Sequence, residues 1–293
     1  MGKPIIVTVG EFLWDNFPDG SRLGGAPGNV ACHASQLGAE AYLISAVGED
    51  RLGRDALTFL REKGVHTDLV EVLSDYPTGT VTVSFDTQKK HSFHIDSPAA
   101  WDHIRINGET SEVLQKADAL IFGTLGQRTP QAKAITAELL GLVSDDCLIL
   151  CDANFRPPYD DHQLLELCLK RANALKINDE ELAEFAPGQT PDDFFSSYKN
   201  LKLLIYTRGP KGAKVLRRSL DGIQSVNHPG LPTNVVDTVG AGDSFTATLV
   251  TDLLNDVPLK TAVDHASAIA SFVCEKPGSV PELPTLPSSR IDA

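Results

Sequence analysis

Apolar, β-branched runs recur along the chain at Ile5 to Val9, Tyr42 to Val47, Ala119 to Phe122, Leu148 to Cys151, Leu175 to Ile177 and Leu201 to Tyr206. Runs without polar alternation suit strands buried on both faces. Between them the apolar spacing is helical, over Asn29 to Leu37, Asp50 to Lys63, Pro130 to Val143, His162 to Arg171 and Asp179 to Phe185. The first two end at Gly38 and Gly64, the residue type that helix ends favour. This alternation predicts an α/β fold, a mostly parallel sheet covered by helices.

One stretch departs from the rule. Thr78 to Ile95 alternates apolar and polar residues on both sides of a polar tip, Asp86 to Lys90. That pattern predicts an antiparallel hairpin standing off the main sheet, with Val81, Val83, Phe85, Phe93 and Ile95 on its apolar face. No repeat or linker divides the chain, so residues 1–293 read as a single domain, with Pro277 to Ser289 as an exposed C-terminal crossing.

Charge narrows the partners. Against 39 Asp and Glu stand 26 Lys and Arg, a net charge of −13, which opposes nucleic-acid backbones and anionic lipid. The basic pairs Lys89-Lys90 and Arg217-Arg218 read as solvated hairpin or strand edges, so neither nucleic acid nor a membrane is an expected partner. The five cysteines, Cys32, Cys147, Cys151, Cys168 and Cys274, are odd in number and lack C-x-x-C spacing. They read as reduced core residues of a cytoplasmic protein. No apolar run approaches the ~18 residues of a membrane span.

The sharpest local signal is Asn234 to Phe245, a β-branched strand pattern entering a Gly-Ala-Gly turn and then a helix whose Phe245, Leu249, Leu253 and Leu254 share a face. Free N–H groups and the dipole at such a helix start favour an anion. Asp243, placed there, reads on its own as a helix cap. A second glycine turn, Leu23 to Ala31, opens another small-residue helix, suited to a close ligand or to tight packing. There is no G-x-x-x-x-G-K-[ST], no G-x-G-x-x-G after the first strand, and no His or Cys pair at metal-ligand spacing.

The two turns together resemble the signatures of the ribokinase-like (PfkB-type) sugar kinase family: Gly24-Gly25-Ala26-Pro27-Gly28-Asn29 the first, Asp237-Thr238-Val239-Gly240-Ala241-Gly242-Asp243 the second. Further landmarks fall in order: Gly10-Glu11 with Asp15, Val47 to Asp50 with Gly53, Asp152 to Arg156, Asn178 to Glu181, and Thr207 to Gly212. The resemblance implies a three-layer α/β/α domain with a small β-sheet lid drawn from parts of 11–25 and 76–100. It implies ATP-dependent phosphoryl transfer to a sugar, fructose first because Gly123 to Arg128 and Asp152 to Pro157 are most similar to fructokinases. 2-Keto-3-deoxygluconate or another sugar or nucleoside, and a catalytically silent binding relative, are the alternatives.

By the same resemblance Asp243 is the base, and the N–H groups of Gly240, Ala241 and Gly242 hold the migrating phosphoryl group. Asp15, Gly25, Asn29 and Arg156 meet the sugar; Asn178, Thr207, Gly209 and Gly212 meet the nucleotide, with Lys211 near the phosphates or in solvent. Glu181 reaches Mg²⁺ through water, although Asn178-x-x-Glu181 is also what a capping box looks like. Asp237 and Val239, near Gly278, would hold K⁺. Adenine would rest near His265 and Ala268, and Arg128 is either substrate-side or a structural ion pair. A homodimer through the lid is the expected assembly.

Overall fold

The computed structural model describes residues 2–17, 20–85, 91–159 and 161–284. Its strands are β1 (Ile5–Val9), β2 (Leu13–Phe17), β3 (Gly20–Gly24), β4 (Glu40–Gly48), β5 (Val70–Leu73), β6 (Gly79–Phe85), β7 (His91–Ile95), β8 (Ala119–Gly123), β9 (Leu148–Asp152), β10 (Ala174–Asn178), β11 (Leu203–Thr207), β12 (Ala213–Ser219) and β13 (Gly222–His228). Its α-helices are α1 (Ala26–Gln36), α2 (Arg51–Glu62), α3 (Gly108–Lys116), α4 (Pro130–Leu139), α5 (His162–Leu169), α6 (Asp179–Phe185), α7 (Pro191–Ser197), α8 (Ala241–Leu254) and α9 (Leu259–Cys274).

Nine strands form one sheet in the order β13-β12-β11-β10-β9-β8-β1-β4-β5. From β11 to β5 every pairing is parallel; only the β11-β12 and β12-β13 pairings, at one edge, are antiparallel. Side chains alternate across the sheet, and the sheet's two cores follow from that. Val7, Val9, Leu120 and Phe122 pack with Leu114, Leu139, Leu165 and Phe194 from α3, α4, α5 and α7, whereas Ile6, Ile121, Leu150 and Ile205 pack with Val30, Leu249 and Val263 from α1, α8 and α9. The result is the three-layer α/β/α arrangement expected of runs apolar on both faces.

A second sheet, β3-β2-β6-β7, stands apart from the first. It is mixed: β2 runs parallel to β6, while β2-β3 and β6-β7 are antiparallel. Val81 and Ile95 are buried within the protomer against Leu13, Ala99, Trp101 and Leu125, so these two need no second subunit to leave water. The hairpin tip Asp86 to Lys90, including Lys89-Lys90, lies outside the described residues, as do the side chains of Val83, Phe85 and Phe93.

Three local expectations change. Asn234 to Val236 is irregular chain rather than strand; Val235 and Val236 are exposed, and the N–H groups of Val236 and Asp237 both donate to the Cys274 carbonyl. Tied across to α9, this segment has no neighbouring strand to pair with. Arg218 is not a solvated edge residue: its guanidinium stacks 4.4 Å from the Phe195 ring and donates to the Leu201 and Phe195 carbonyls, tying β12 to the segment around α7. The crossing from Pro277 is not wholly exposed either, since Ser279 is buried where the chain passes over α1; residues 285–293 lie outside the described chain.

Candidate active site

Parallel strands end at one edge of a sheet, and the chain after each end is free to carry side chains into the space above it. Here β1 leads to Glu11, β9 ends in Asp152, β10 in Asn178 and β11 in Thr207. The N-terminal ends of α1 and α8 close the same space, a cleft of about 1630 Å³.

Around this cleft the fold gathers Asp15, Gly25, Asn29, Arg156, Asn178, Glu181, Thr207, Gly209, Gly212, Asp237, Val239, and Gly240 through Asp243. Lys211, His265 and Ala268 do not border it. His265 instead pairs with Asp252 at 2.9 Å, and the face of α9 turned to the cleft carries Ser267, Ala270, Ser271 and Cys274. Cys274 is therefore not a core cysteine like the other four. Arg128 resolves to the structural alternative: it forms a buried, two-point pair with Asp102, with its guanidinium 4.1 Å from the Trp101 ring.

Two backbone positions shape the site. Gly240, the residue just before α8, has φ 80°, and a Cβ there would collide with the Ser279 carbonyl. Gly25 has φ 100°, and its Cβ would strike the Glu11 carbonyl. Only glycine fits either place. Because Pro27 stands in its first turn, α1 begins at Ala26, earlier than the spacing predicts. Asn29 is then inside the helix rather than capping it, and its Nδ2 donates to Asp243 Oδ2 at 2.8 Å.

Asp243 is held in the company of opposite and like charges. Burial raises its carboxyl above the ordinary range, while Lys176, the Asn29 hydrogen bond and Arg156 pull it down and Asp152 pushes it up. A carboxylate so raised is a better proton acceptor than an exposed one. Lys176 is the residue the sequence reading missed. It sits in β10, 8% exposed, and its Nζ donates to both Asp152 oxygens at 2.9 and 2.8 Å beside Gly242. Burial works against its ammonium, but Asp152, Asp243 and Glu181 together outweigh it and raise the pKa. The signal was present as one lysine inside an otherwise apolar strand, which requires a buried partner.

Asn178 and Glu181 do form a capping box at the start of α6: Asn178 Oδ1 accepts from the Glu181 N–H at 2.8 Å, and Glu181 Oε2 from the Asn178 N–H at 2.9 Å. Glu181 Oε1 accepts from the Phe155 N–H at 3.0 Å. Burial raises this carboxyl, with Lys176 opposing. Asp237 is similarly engaged, one oxygen by the Val239 N–H at 3.0 Å and the other by that of Gly278 at 3.1 Å.

Glu11, in the sequence only a landmark beside Gly10, borders the cleft, is 2% exposed, and its Oε2 has no hydrogen-bond partner among the described residues. Burial raises its carboxyl from 4.5 to about 7, and Asp15 is raised by burial to about 6 against the pull of Arg156. Between pH 4.5 and 7 the folded chain therefore keeps a Glu11 proton that the unfolded chain has released, so stability from this group falls as pH rises through that window. The loss is on the order of 3 kcal/mol. Glu11→Gln, always neutral, is expected to remove that slope, seen as a melting temperature that gains on the wild type from pH 5 to pH 8; parallel curves would count against the buried acid.

Comparisons with known proteins now bear on these features. The sequence model described as "pfkB family carbohydrate kinase" matches residues 19–286. Fructokinase-2 of Oryza sativa subsp. japonica is 28% identical, with 96% of this chain and 91% of that protein aligned. Among solved structures, the fructokinase with bound ATP from Xylella fastidiosa superimposes with a TM-score of 0.83 at 21% identity, covering 97% of this chain and 96% of that one. The fructokinase from Vibrio cholerae O395 in its fructose, ADP and calcium ion bound form gives 0.82 at 21%, covering 96% of each. A match that takes in both glycine turns and the strand ends between them leaves one conclusion: the chain belongs to the pfkB family of carbohydrate kinases and is a sugar phosphotransferase.

Proposed function

We propose that this kinase transfers the γ-phosphoryl group of ATP to fructose, with Asp243 as the base, in a single catalytic domain whose small sheet serves as the lid. The observation that carries the reading is Asp243 itself: a carboxylate with a raised pKa, fixed by Asn29, in the first turn of the helix that opens at Gly240. A sugar hydroxyl is too weak an acid to ionise first, so its proton passes to Asp243 as the new P–O bond forms and the bond to ADP breaks. The N–H groups of Gly240 and Gly242 receive the oxygens of the migrating group, that of Ala241 joins them by leaving the Thr238 carbonyl 3.3 Å away, and the Lys176 ammonium beside Gly242 adds positive charge there.

The hard oxygen donors Asn178 and Glu181 suit Mg²⁺ bound mainly through the polyphosphate and water, because Glu181 already engages one N–H with each oxygen. Bound there, Mg²⁺ would neutralise charge on the β- and γ-phosphoryl oxygens. Thr207, Gly209 and Gly212 leave the nucleotide close access to the backbone, and the exposed Val235 and Val236 with Ala270 and Cys274 offer adenine an apolar slot. Asp237 and Val239 are the proposed K⁺ site, through the Val239 carbonyl and the outer lone pairs of Asp237. Cytoplasmic location and a homodimer through the lids complete the reading; sedimentation at micromolar protein with fructose present is expected to give a dimer, and a monomer would remove the pairing while leaving the lid. Among the described residues no helix is long and apolar enough to cross a membrane.

A neutral ketose fits Asp15 and Asn29, which exchange hydrogen bonds with hydroxyls, whereas a keto-acid sugar sets its carboxylate against Asp15 and Glu11. The second reading, 2-keto-3-deoxygluconate, is favoured by one observation: Arg156 borders the cleft exposed and donates to its own chain at the Phe155 carbonyl. The two sugars assayed side by side decide. kcat/KM for fructose is expected to exceed that for 2-keto-3-deoxygluconate by about tenfold or more, the scale of one well-placed polar contact. The reverse order would transfer the assignment to the acid.

A further inference from the structure

An amide side chain has the same shape with its oxygen and nitrogen exchanged, and its partners choose between the two orientations. Asn29 faces Asp243 on one side, where only a donor is useful, and Ser279 on the other, where Ser279 Oγ lies 2.9 Å from Asn29 Oδ1. The Ser279 hydroxyl has two acceptors in reach, the Leu23 carbonyl at 3.2 Å and Asn29 Oδ1 at 2.9 Å; donated to the nearer, it turns the amide nitrogen to the carboxylate. Flipped, the amide would set oxygen against oxygen at Asp243.

Ser279 is itself pinned. Its carbonyl accepts from His33 Nε2 at 2.9 Å, and His33 is fully buried with no partner at Nδ1, so the neutral ring carries its proton on Nε2. Burial lowers His33 to about 4, which keeps that state throughout the neutral range. The same Ser279 carbonyl stands where a Cβ of Gly240 would be, so one residue packs against the start of α8 and bonds to the partner of the base.

We propose that Ser279 is a positioning residue for this kinase: its hydroxyl fixes the Asn29 amide so that Nδ2 holds Asp243 Oδ2, leaving Oδ1 for the acceptor hydroxyl. The inference rests on Asp243 being the base. It assigns to the C-terminal crossing, 36 residues beyond Asp243 and on no strand or helix, a part in orienting the reaction's proton acceptor.

Ser279→Thr and Ser279→Val have the same shape and differ only in the hydroxyl, so cavity effects cancel between them. With saturating MgATP and varied fructose, the Thr variant is expected to keep a kcat about five- to twentyfold above that of Val, the scale of one hydrogen bond, with KM for ATP alike. In an Asn29→Ala background the same exchange should alter kcat by less than about twofold, since the amide it orients is gone. Equal kcat for the two variants, or the full ratio persisting without Asn29, overturns the proposal. Asp243→Asn measured alongside separates the two claims: retained turnover there defeats the base, whereas its loss with equal Thr and Val rates defeats only the part given to Ser279.

Discussion

Asp243→Asn is expected to lower kcat by about 10²- to 10⁴-fold, the usual worth of a general base. The exchange is nearly isosteric, and an amide oxygen can still accept from Asn29, so the site's shape survives while its proton acceptor does not. KM for ATP should change little, because the N–H groups proposed to meet the phosphates are left in place. The pH profile carries a second signature. Burial raises the Asp243 carboxyl, so wild-type kcat falls as pH drops and the base takes up its proton; the residual rate of the variant should lack that limb. Stability should move the other way. An acid whose folded pKa lies above its unfolded one is held as an anion at a cost near neutral pH, so the variant is expected to melt at or above the wild-type temperature. Turnover within tenfold of wild type would remove Asp243 from the chemistry.

Lys176→Met should be the most destabilising of the single changes at the site. It removes the ammonium from a buried pair and strands Asp152, 4% exposed, with Glu181 and Asp243 as neighbouring carboxyls. Breaking a buried pair in this way costs about 3–5 kcal/mol. For a chain of this length that is roughly 5–8 °C in melting temperature. Activity should fall as well, since the charge beside Gly242 is gone and Asp243 loses the group that most opposes its raised pKa. Adding Asp152→Leu to Lys176→Met should recover much of the stability and none of the rate. If the single variant melts within 2 °C of wild type, the pair is not the site's electrostatic floor.

The sequence disclosed the architecture wherever burial on both faces left a continuous apolar run. β1, β4, β8, β9 and β11 stand where those runs stand, because a central parallel strand has no wet face to interrupt the pattern. It was least informative where pairing, not composition, decides. Leu13 to Gly24 mixes Trp14, Phe17 and Leu23 with Asp15, Asn16, Ser21 and Arg22 and shows no clean strand period, yet it supplies two strands, β2 pairing with both β3 and β6. Asn234 to Val236 has strand residues and no partner, so it stays irregular.

The site divides on the same line. The glycine turns and Asp243 were legible because φ and helix starts constrain residue type locally. Lys176, Glu11 and Ser279 act through contacts that close only in three dimensions, and Ser279 bonds to Asn29 across 250 positions of sequence separation. The Glu181 capping box was legible from its spacing to Asn178, the same spacing that the proposed water-mediated metal contact asks for.

Phosphorus NMR of the purified protein with Mg²⁺, ATP and fructose, run beside Asp243→Asn, tests most directly whether the Asp243 carboxylate drives phosphoryl transfer to the sugar. One sugar phosphomonoester is expected for each ADP formed, with the rate collapsing in the variant. ADP accompanied only by inorganic phosphate, or a sugar phosphate formed equally fast without the Asp243 carboxylate, would contradict it.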